Sequence, residues 1–143
     1  MIILDTNVLS ALMRETPDVL VTSWLDGVPS HSVWTTAINV YELRYGIEIL
    51  APGRKRGALQ ATLERLLSQA LEGRVLSFDE RAAEAAAAIG ATHHNAGRNV
   101  EIRDVEIAGI AAVKMATLAT RNTRDFDGIG LLLVYPWETA SRE

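Results

Sequence analysis

Three aliphatic residues followed by a carboxylate, Ile2-Ile3-Leu4-Asp5, open the chain, and no other stretch restricts its fold as strongly. A short apolar run reads as a strand buried on both faces, so Asp5 stands where that strand ends. Thr6 and Asn7 lead into a helical spacing of Val8, Leu9, Leu12 and Met13, giving a strand-turn-helix unit with an acid at its junction. In open parallel sheets, ligands bind at that junction, beyond the carboxyl ends of the strands. Helix capping alone would account for one such Asp. Three further acids recur in similar settings: Glu42 after Val33-Trp34-Thr35-Thr36, Asp104 ahead of an Ile/Ala helix, and Asp125 after Thr117-Leu118-Ala119-Thr120. Recurrence weakens capping as the whole explanation.

The rest of the chain alternates in the same way. Thr16-Pro17-Asp18 resets the backbone, and a second helix carries Val19, Leu20, Trp24 and Leu25 as far as Gly27 and Pro29. Val33 to Thr36 is a strand, after which Ile38, Tyr41, Tyr45 and Ile49 mark a helix capped by Thr35 or Thr36. Ala51-Pro52-Gly53 breaks the chain, and Leu59, Leu63, Leu66, Leu67 and Leu71 complete a helical hairpin. Arg74 to Phe78 reads as a strand, with Asp79 capping an alanine-rich helix from about Glu80 to Gly90 or a little beyond. His93-His94-Asn95-Ala96-Gly97-Arg98 reads as a helix end and loop with exposed histidines that take no part in metal binding. Ile107, Ile110, Ala111 and Met115 define a last helix with Asp104 in its first turn, and Thr117 to Arg121 and Leu131 to Tyr135 are the closing strands. The pattern predicts one α/β domain over residues 1–143, a central parallel sheet flanked by helices.

Composition narrows the chemistry. With 143 residues, 48% of them hydrophobic, the chain can bury one core and is too short for two ordinary domains. It has no cysteine, so thiolate zinc and iron-sulfur sites are excluded and any metal takes oxygen or imidazole ligands. The residue pattern leads us to expect neither a leader nor a membrane span, and a cytoplasmic location. A net charge of -4 argues against nucleic-acid binding through bulk positive charge. Local basic groups remain, at Arg54-Lys55-Arg56, read as a solvated run, and at Arg121 and Arg124 beside Asp125.

Four carboxylates meeting at one sheet edge would repel one another and raise their pKa values. A divalent cation resolves that conflict, and all-oxygen ligation suits Mg²⁺ or Mn²⁺, which can activate water against a phosphodiester.

Ile3-Leu4-Asp5-Thr6-Asn7-Val8-Leu9, Asn39 to Gly46, Asp104-Val105-Glu106-Ile107-Ala108 with Ala111-Ala112, and Leu118 to Phe126 follow one another in an order that resembles the PIN-domain ribonucleases, and among them the VapC and FitB-like toxins of bacterial toxin-antitoxin pairs. The closing Tyr135-Pro136-Trp137 is similar to the family's usual ending. The resemblance implies metal-binding and catalytic acids at Asp5, Glu42 and Asp104, with Asp125 as a fourth of more variable use. It also implies supporting roles for Thr6 and Asn7 at the first acid, and for Thr120 and Asn122 along the same pocket. A metal-dependent endoribonuclease acting on RNA is expected, held inactive by a small antitoxin, and a homodimer that meets DNA only through that antitoxin. The alternative is a catalytically silent partner in an antitoxin-DNA repressor, which a missing core acid would favour and none is missing. A haloacid-dehalogenase-like phosphatase would need an Asp where Asn7 stands. Two departures from the family pattern, Gly109 for Ala and Met115 for a helix-ending Gly, are expected to cost stability. Glu106 falls on a different helical face from Asp104, and Glu48 and Glu64 are expected in solvent.

Overall fold

The computed structural model describes residues 1–138; residues 139–143, the end of the expected domain, lie outside the described residues. Five parallel strands form one sheet in the order β3-β2-β1-β4-β5: β1 (Ile2–Leu4), β2 (Val33–Thr36), β3 (Val75–Leu76), β4 (Thr117–Ala119) and β5 (Leu132–Val134). Strand β1 lies between β2 and β4, with Ile3 in register with Trp34 on one side and Leu118 on the other. Strand order therefore reverses beside β1, which makes the carboxyl ends of β1 and β4 the crevice of the fold.

The side-chain alternation of a strand divides the core in two. Leu4 joins Val8, Leu9, Val21, Leu43, Ile47 and Leu63 on one face, where helices α1 (Thr6–Met13), α2 (Val19–Asp26), α3 (Ala37–Glu48) and α4 (Arg54–Arg65) pack. Ile3 joins Leu76, Ala82, Ile107, Ile110, Leu118 and Phe126 on the other, beneath α5 (Glu80–Asn95) and α6 (Ile102–Lys114). Each such buried aliphatic side chain stabilises the fold by roughly 1.5–3 kcal/mol relative to exposure. Caps start the helices: Asp18 accepts from the N–H groups of Leu20 and Val21, Thr36 from Asn39, and Asp79 from Ala82. A π-helical turn, Leu66–Ala70, carries the chain from α4 toward β3.

Several sequence-based expectations change. Helix α5 runs on through both histidines to Asn95, with His93 only 3% exposed and His94 on the solvent side. His93 thus packs inside the molecule instead of lying in a loop, because helical neighbours are turned about 100° apart, enough to put His93 on the buried side of α5 and His94 on the exposed side. Strands β3, β4 and β5 are each shorter at their ends than their apolar runs suggest. Gly109 is required rather than costly. A Cβ there would stand 2.5 Å from the Ala82 carbonyl oxygen and 2.8 Å from the Ala86 Cβ, so glycine lets α5 and α6 approach backbone to backbone. Met115 ends α6 in the left-handed conformation (φ 50°, ψ 42°) that glycine usually takes, with its side chain in solvent. Glu48 and Glu64 are exposed, paired with Arg56 and Arg44, and no helix among the described residues is long and apolar enough to cross a membrane.

Candidate active site

Asp5 caps α1 at the carboxyl end of β1, and its carboxylate is enclosed by donors from three elements. The Thr6 N–H reaches Oδ1 at 2.8 Å, Asn39 Nδ2 reaches the same oxygen at 2.9 Å, and the Thr120 hydroxyl donates to Oδ2 at 2.6 Å. These partners are held in turn. The Thr36 hydroxyl donates to Asn39 Oδ1 at 2.6 Å and accepts the Asn39 N–H at 3.2 Å, and Thr35 donates to the Leu4 carbonyl. Asp5, Thr35, Thr36, Asn39 and Thr120 are the polar residues that this core absorbs together with His93. Burial pushes the Asp5 carboxyl above its ordinary range, opposed by the hydrogen bonds from Thr120, Thr6 and Asn39.

Glu42 follows Asn39 by one turn of α3 and shares its partner. Asn39 Nδ2 donates to the Thr6 hydroxyl at 3.0 Å, and that hydroxyl donates to Glu42 Oε1 at 2.5 Å. The other Glu42 oxygen faces Arg103 Nε at 3.4 Å, and Arg103 is itself tied to Glu101.

Asp104 is differently placed. It sits in the first turn of α6, partly buried, and its side chain accepts no hydrogen bond among the described residues. Desolvation, followed by the charges of Asp5, Asp125, Glu101 and Glu42, pushes its carboxyl from the ordinary 3.8 up to about 7. Asp125 is exposed in a single 3₁₀ turn, Thr123–Phe126, anchored by the buried Phe126, and its charge reaches both Asp5 and Asp104. The four acids therefore occupy one electrostatic neighbourhood. Among the described residues no three such side chains close around a single point, Glu42 being turned to Thr6 and Arg103. The donor set nonetheless fits a hard divalent cation: it is all carboxylate oxygen, and positive charge would offset the desolvation and the neighbouring acids that raise the Asp104 pKa.

The supporting residues divide their work. Thr6 serves Asp5 through its backbone and Glu42 through its hydroxyl. Asn7 Oδ1 accepts the Arg121 N–H at 3.1 Å, and the Asn122 N–H donates to the Thr120 hydroxyl at 3.0 Å, which orients that hydroxyl toward Asp5. His93 and His94 lie on α5, and neither contributes to this network. Two participants escaped the sequence reading, Asn39 and Arg103. The spacing of Thr36 and Asn39, a cap and the third helical position, carried a signal for the first; nothing local marked the second.

The PIN domain family matches residues 2–131. The VapC ribonuclease Y4jK of Sinorhizobium fredii is 38% identical over 140 residues, covering 98% of this chain and 100% of its own. Toxin FitB of Neisseria gonorrhoeae is 36% identical over 137 residues, covering 96% of this chain and 99% of its own. A solved structure of FitAB bound to the IR36 DNA fragment includes a chain that superposes with a TM-score of 0.89 at 34% identity, covering 100% of both chains.

Proposed function

This chain belongs to the PIN domain family, and from that premise we propose that it is a metal-dependent endoribonuclease, the toxin of a type II toxin-antitoxin pair. The observation that carries the reading is the pairing of Asp5, caged at the carboxyl end of β1, with Asp104, whose proton is retained to about pH 7 by burial and neighbouring acids. Asp5 and Asp104 would hold Mg²⁺ or Mn²⁺, with Glu42 and Asp125 beside them. When bound, the cation supplies Lewis acidity and charge neutralisation at phosphoryl oxygens. Asp5 keeps one orientation because three donors hold it. Asp104 would be the acid most readily shifted toward its ionised, ligating form by a neighbouring positive charge. Thr6 steadies Glu42 at the mouth of the site.

The partner reading rests on the same acids. A crowded carboxylate cluster attracts a guanidinium, which binds carboxylates in a two-pronged fashion, so an antitoxin Arg inserted here would neutralise the site. A toxin partnered in this way meets DNA only through its antitoxin. An exposed stripe on α3, Tyr41, Tyr45 and Ile49 with the two rings 6.0 Å apart, supports a homodimer. Cleavage of single-stranded RNA in Mg²⁺ or Mn²⁺ is the test, with EDTA as control and with and without antitoxin, on protein whose mass is read by sedimentation. Asp5→Asn, Glu42→Gln and Asp104→Asn should each lose on the order of a hundredfold in rate, and Asp125→Asn less. Full cleavage in EDTA, or by Asp5→Asn, would defeat the metal mechanism.

A further inference from the structure

Beside the acids, on the far side of Thr6, a groove of about 480 Å³ is lined by Asn7, Ser10, Arg14, Arg121, Asn122 and Trp137. Its floor is one face of α1, with Asn7 and Ser10 one turn apart and Arg14 just past the helix at its C-cap. Its wall comes from elsewhere in the chain. Arg121 follows β4, and its N–H is tethered to Asn7 at the start of α1. Trp137 follows β5, and the Arg121 guanidinium lies over its ring, 4.7 Å from the centroid, with Tyr135 tilted against the same ring at 5.7 Å.

One buttress positions both ends of this arrangement. Asp18 Oδ2 accepts the Trp137 indole N–H at 3.2 Å and stands 3.7 Å from Arg14, while Oδ1 caps α2. Those bonds, led by the Val21 N–H, lower the Asp18 pKa and keep it anionic as a fixed acceptor. The groove thus presents two guanidiniums, one lying over the indole ring, and shares Thr6, Asn7 and Asn122 with the acidic site.

From this geometry we infer that the groove is the seat of the nucleotide flanking the cleaved phosphodiester, its base stacked on the Arg121–Trp137 pair and its phosphate held by Arg14. The inference rests on the ribonuclease reading and deepens it. A base needs a flat, polarisable partner, and an Arg plane or indole supplies one to any unstacked base of a single strand. Phosphate needs an exposed cation, and Arg14 projects from the end of α1 with its side chain 63% exposed. The adjoining acids repel phosphate in the absence of a cation, so positive charge one nucleotide away offsets that repulsion and aligns the strand across Asp5. Beside Ala11 and the Trp137 ring the lining carries two guanidiniums and the polar side chains of Thr6, Asn7, Ser10 and Asn122, a mixture that favours a nucleic-acid strand over an apolar partner helix.

The test is fluorescence anisotropy of a labelled single-stranded RNA oligonucleotide on the full chain in EDTA, across a salt series, with melts to check folding and KM measured separately in Mn²⁺. Arg121→Ala and Arg14→Ala should each weaken binding about tenfold, and each should flatten the slope of log affinity against log salt by about one. Arg121→Lys should keep the salt slope yet lose most of the affinity, because an ammonium retains charge without the stacking plane. Arg54→Ala, which removes the same charge from α4, should change neither. Affinities and slopes of Arg121→Ala and Arg14→Ala equal to those of Arg54→Ala would overturn the inference while wild-type cleavage kept the ribonuclease reading intact. Wild type that binds RNA in an Arg121-dependent way but never cleaves it would defeat the ribonuclease reading and keep the groove as a seat for single-stranded RNA, with no cleaved bond beside it. Variants that lose antitoxin and keep RNA would assign the groove to the protein partner and overturn the inference.

Discussion

Asp5 and Asp104 stand in one site but are held by opposite means. Asp5 is buried and accepts three hydrogen bonds, from α1, α3 and the end of β4; Asp104 accepts none among the described residues and is positioned by the packing of α6 on α5. Burial raises both pKa values, yet at Asp5 three hydrogen-bond donors oppose the rise, with only the Asp125 charge adding to it, whereas at Asp104 every neighbouring charge adds to it. The Asp5 carboxylate is thus part of the fold as well as the site, whereas the Asp104 carboxylate is a burden on the metal-free fold that a cation would lift.

Three changes probe that contrast. Asp5→Ala removes the α1 cap and strands the Asn39 and Thr120 donors, and should cost about 2–4 kcal/mol in a chelator-treated melt, more than is regained by deleting a desolvated charge. No loss of stability would mean the cage is ornamental. Gly109→Ala should cost about 1–3 kcal/mol by overpacking α6 against the Ala82 carbonyl. It should also weaken Mn²⁺ binding by shifting Asp104, and unchanged calorimetry would show that helix spacing does not set that carboxylate. The smallest effect has the opposite sign. An acid whose pKa rises on folding binds its proton more tightly in the native state, so this part of stability falls as pH climbs from about 4 to about 7 and stays at its full deficit above. Metal-free Asp104→Asn escapes that loss and should be more stable than wild type at pH 8 by about 1 kcal/mol, a figure reduced for the screening of a partly exposed group, and level with it at pH 4. An equal offset at both pH values would place the effect outside Asp104 ionisation.

The same division governs what could be read from the chain. Asp5 announced itself because an aliphatic run ending in an acid is a local pattern, and Thr36, Asp79 and the elements they start were legible for the same reason. The order of strands was not, since pairing β1 with β4 joins Ile3 to Leu118 across most of the sequence. Asn39 opens the Asn39 to Gly46 stretch, but its role was not legible, because its side chain crosses to Asp5 and Thr6, more than thirty residues away. Gly109 looked like a defect because helix propensity is a property of one helix, whereas the close approach to Ala82 belongs to two. His93 was misread through its partner: the pair looked polar together, and the helix separates them into core and solvent. Arg103 meets Glu42 only because α6 lies beside α3, a neighbourhood that no spacing along the chain encodes.

The Thr120 hydroxyl that closes the Asp5 cage lies 115 residues downstream of the acid it holds. On the ribosome, at about 5–20 residues per second, roughly 6–23 seconds separate the synthesis of the two. Throughout that interval β1 lacks one of its two neighbours and Asp5 lacks the donor to its second oxygen. A growing chain therefore carries the acid well before it can complete the cage around it, and a copy that stops short of Thr120 lacks the donor that closes the site.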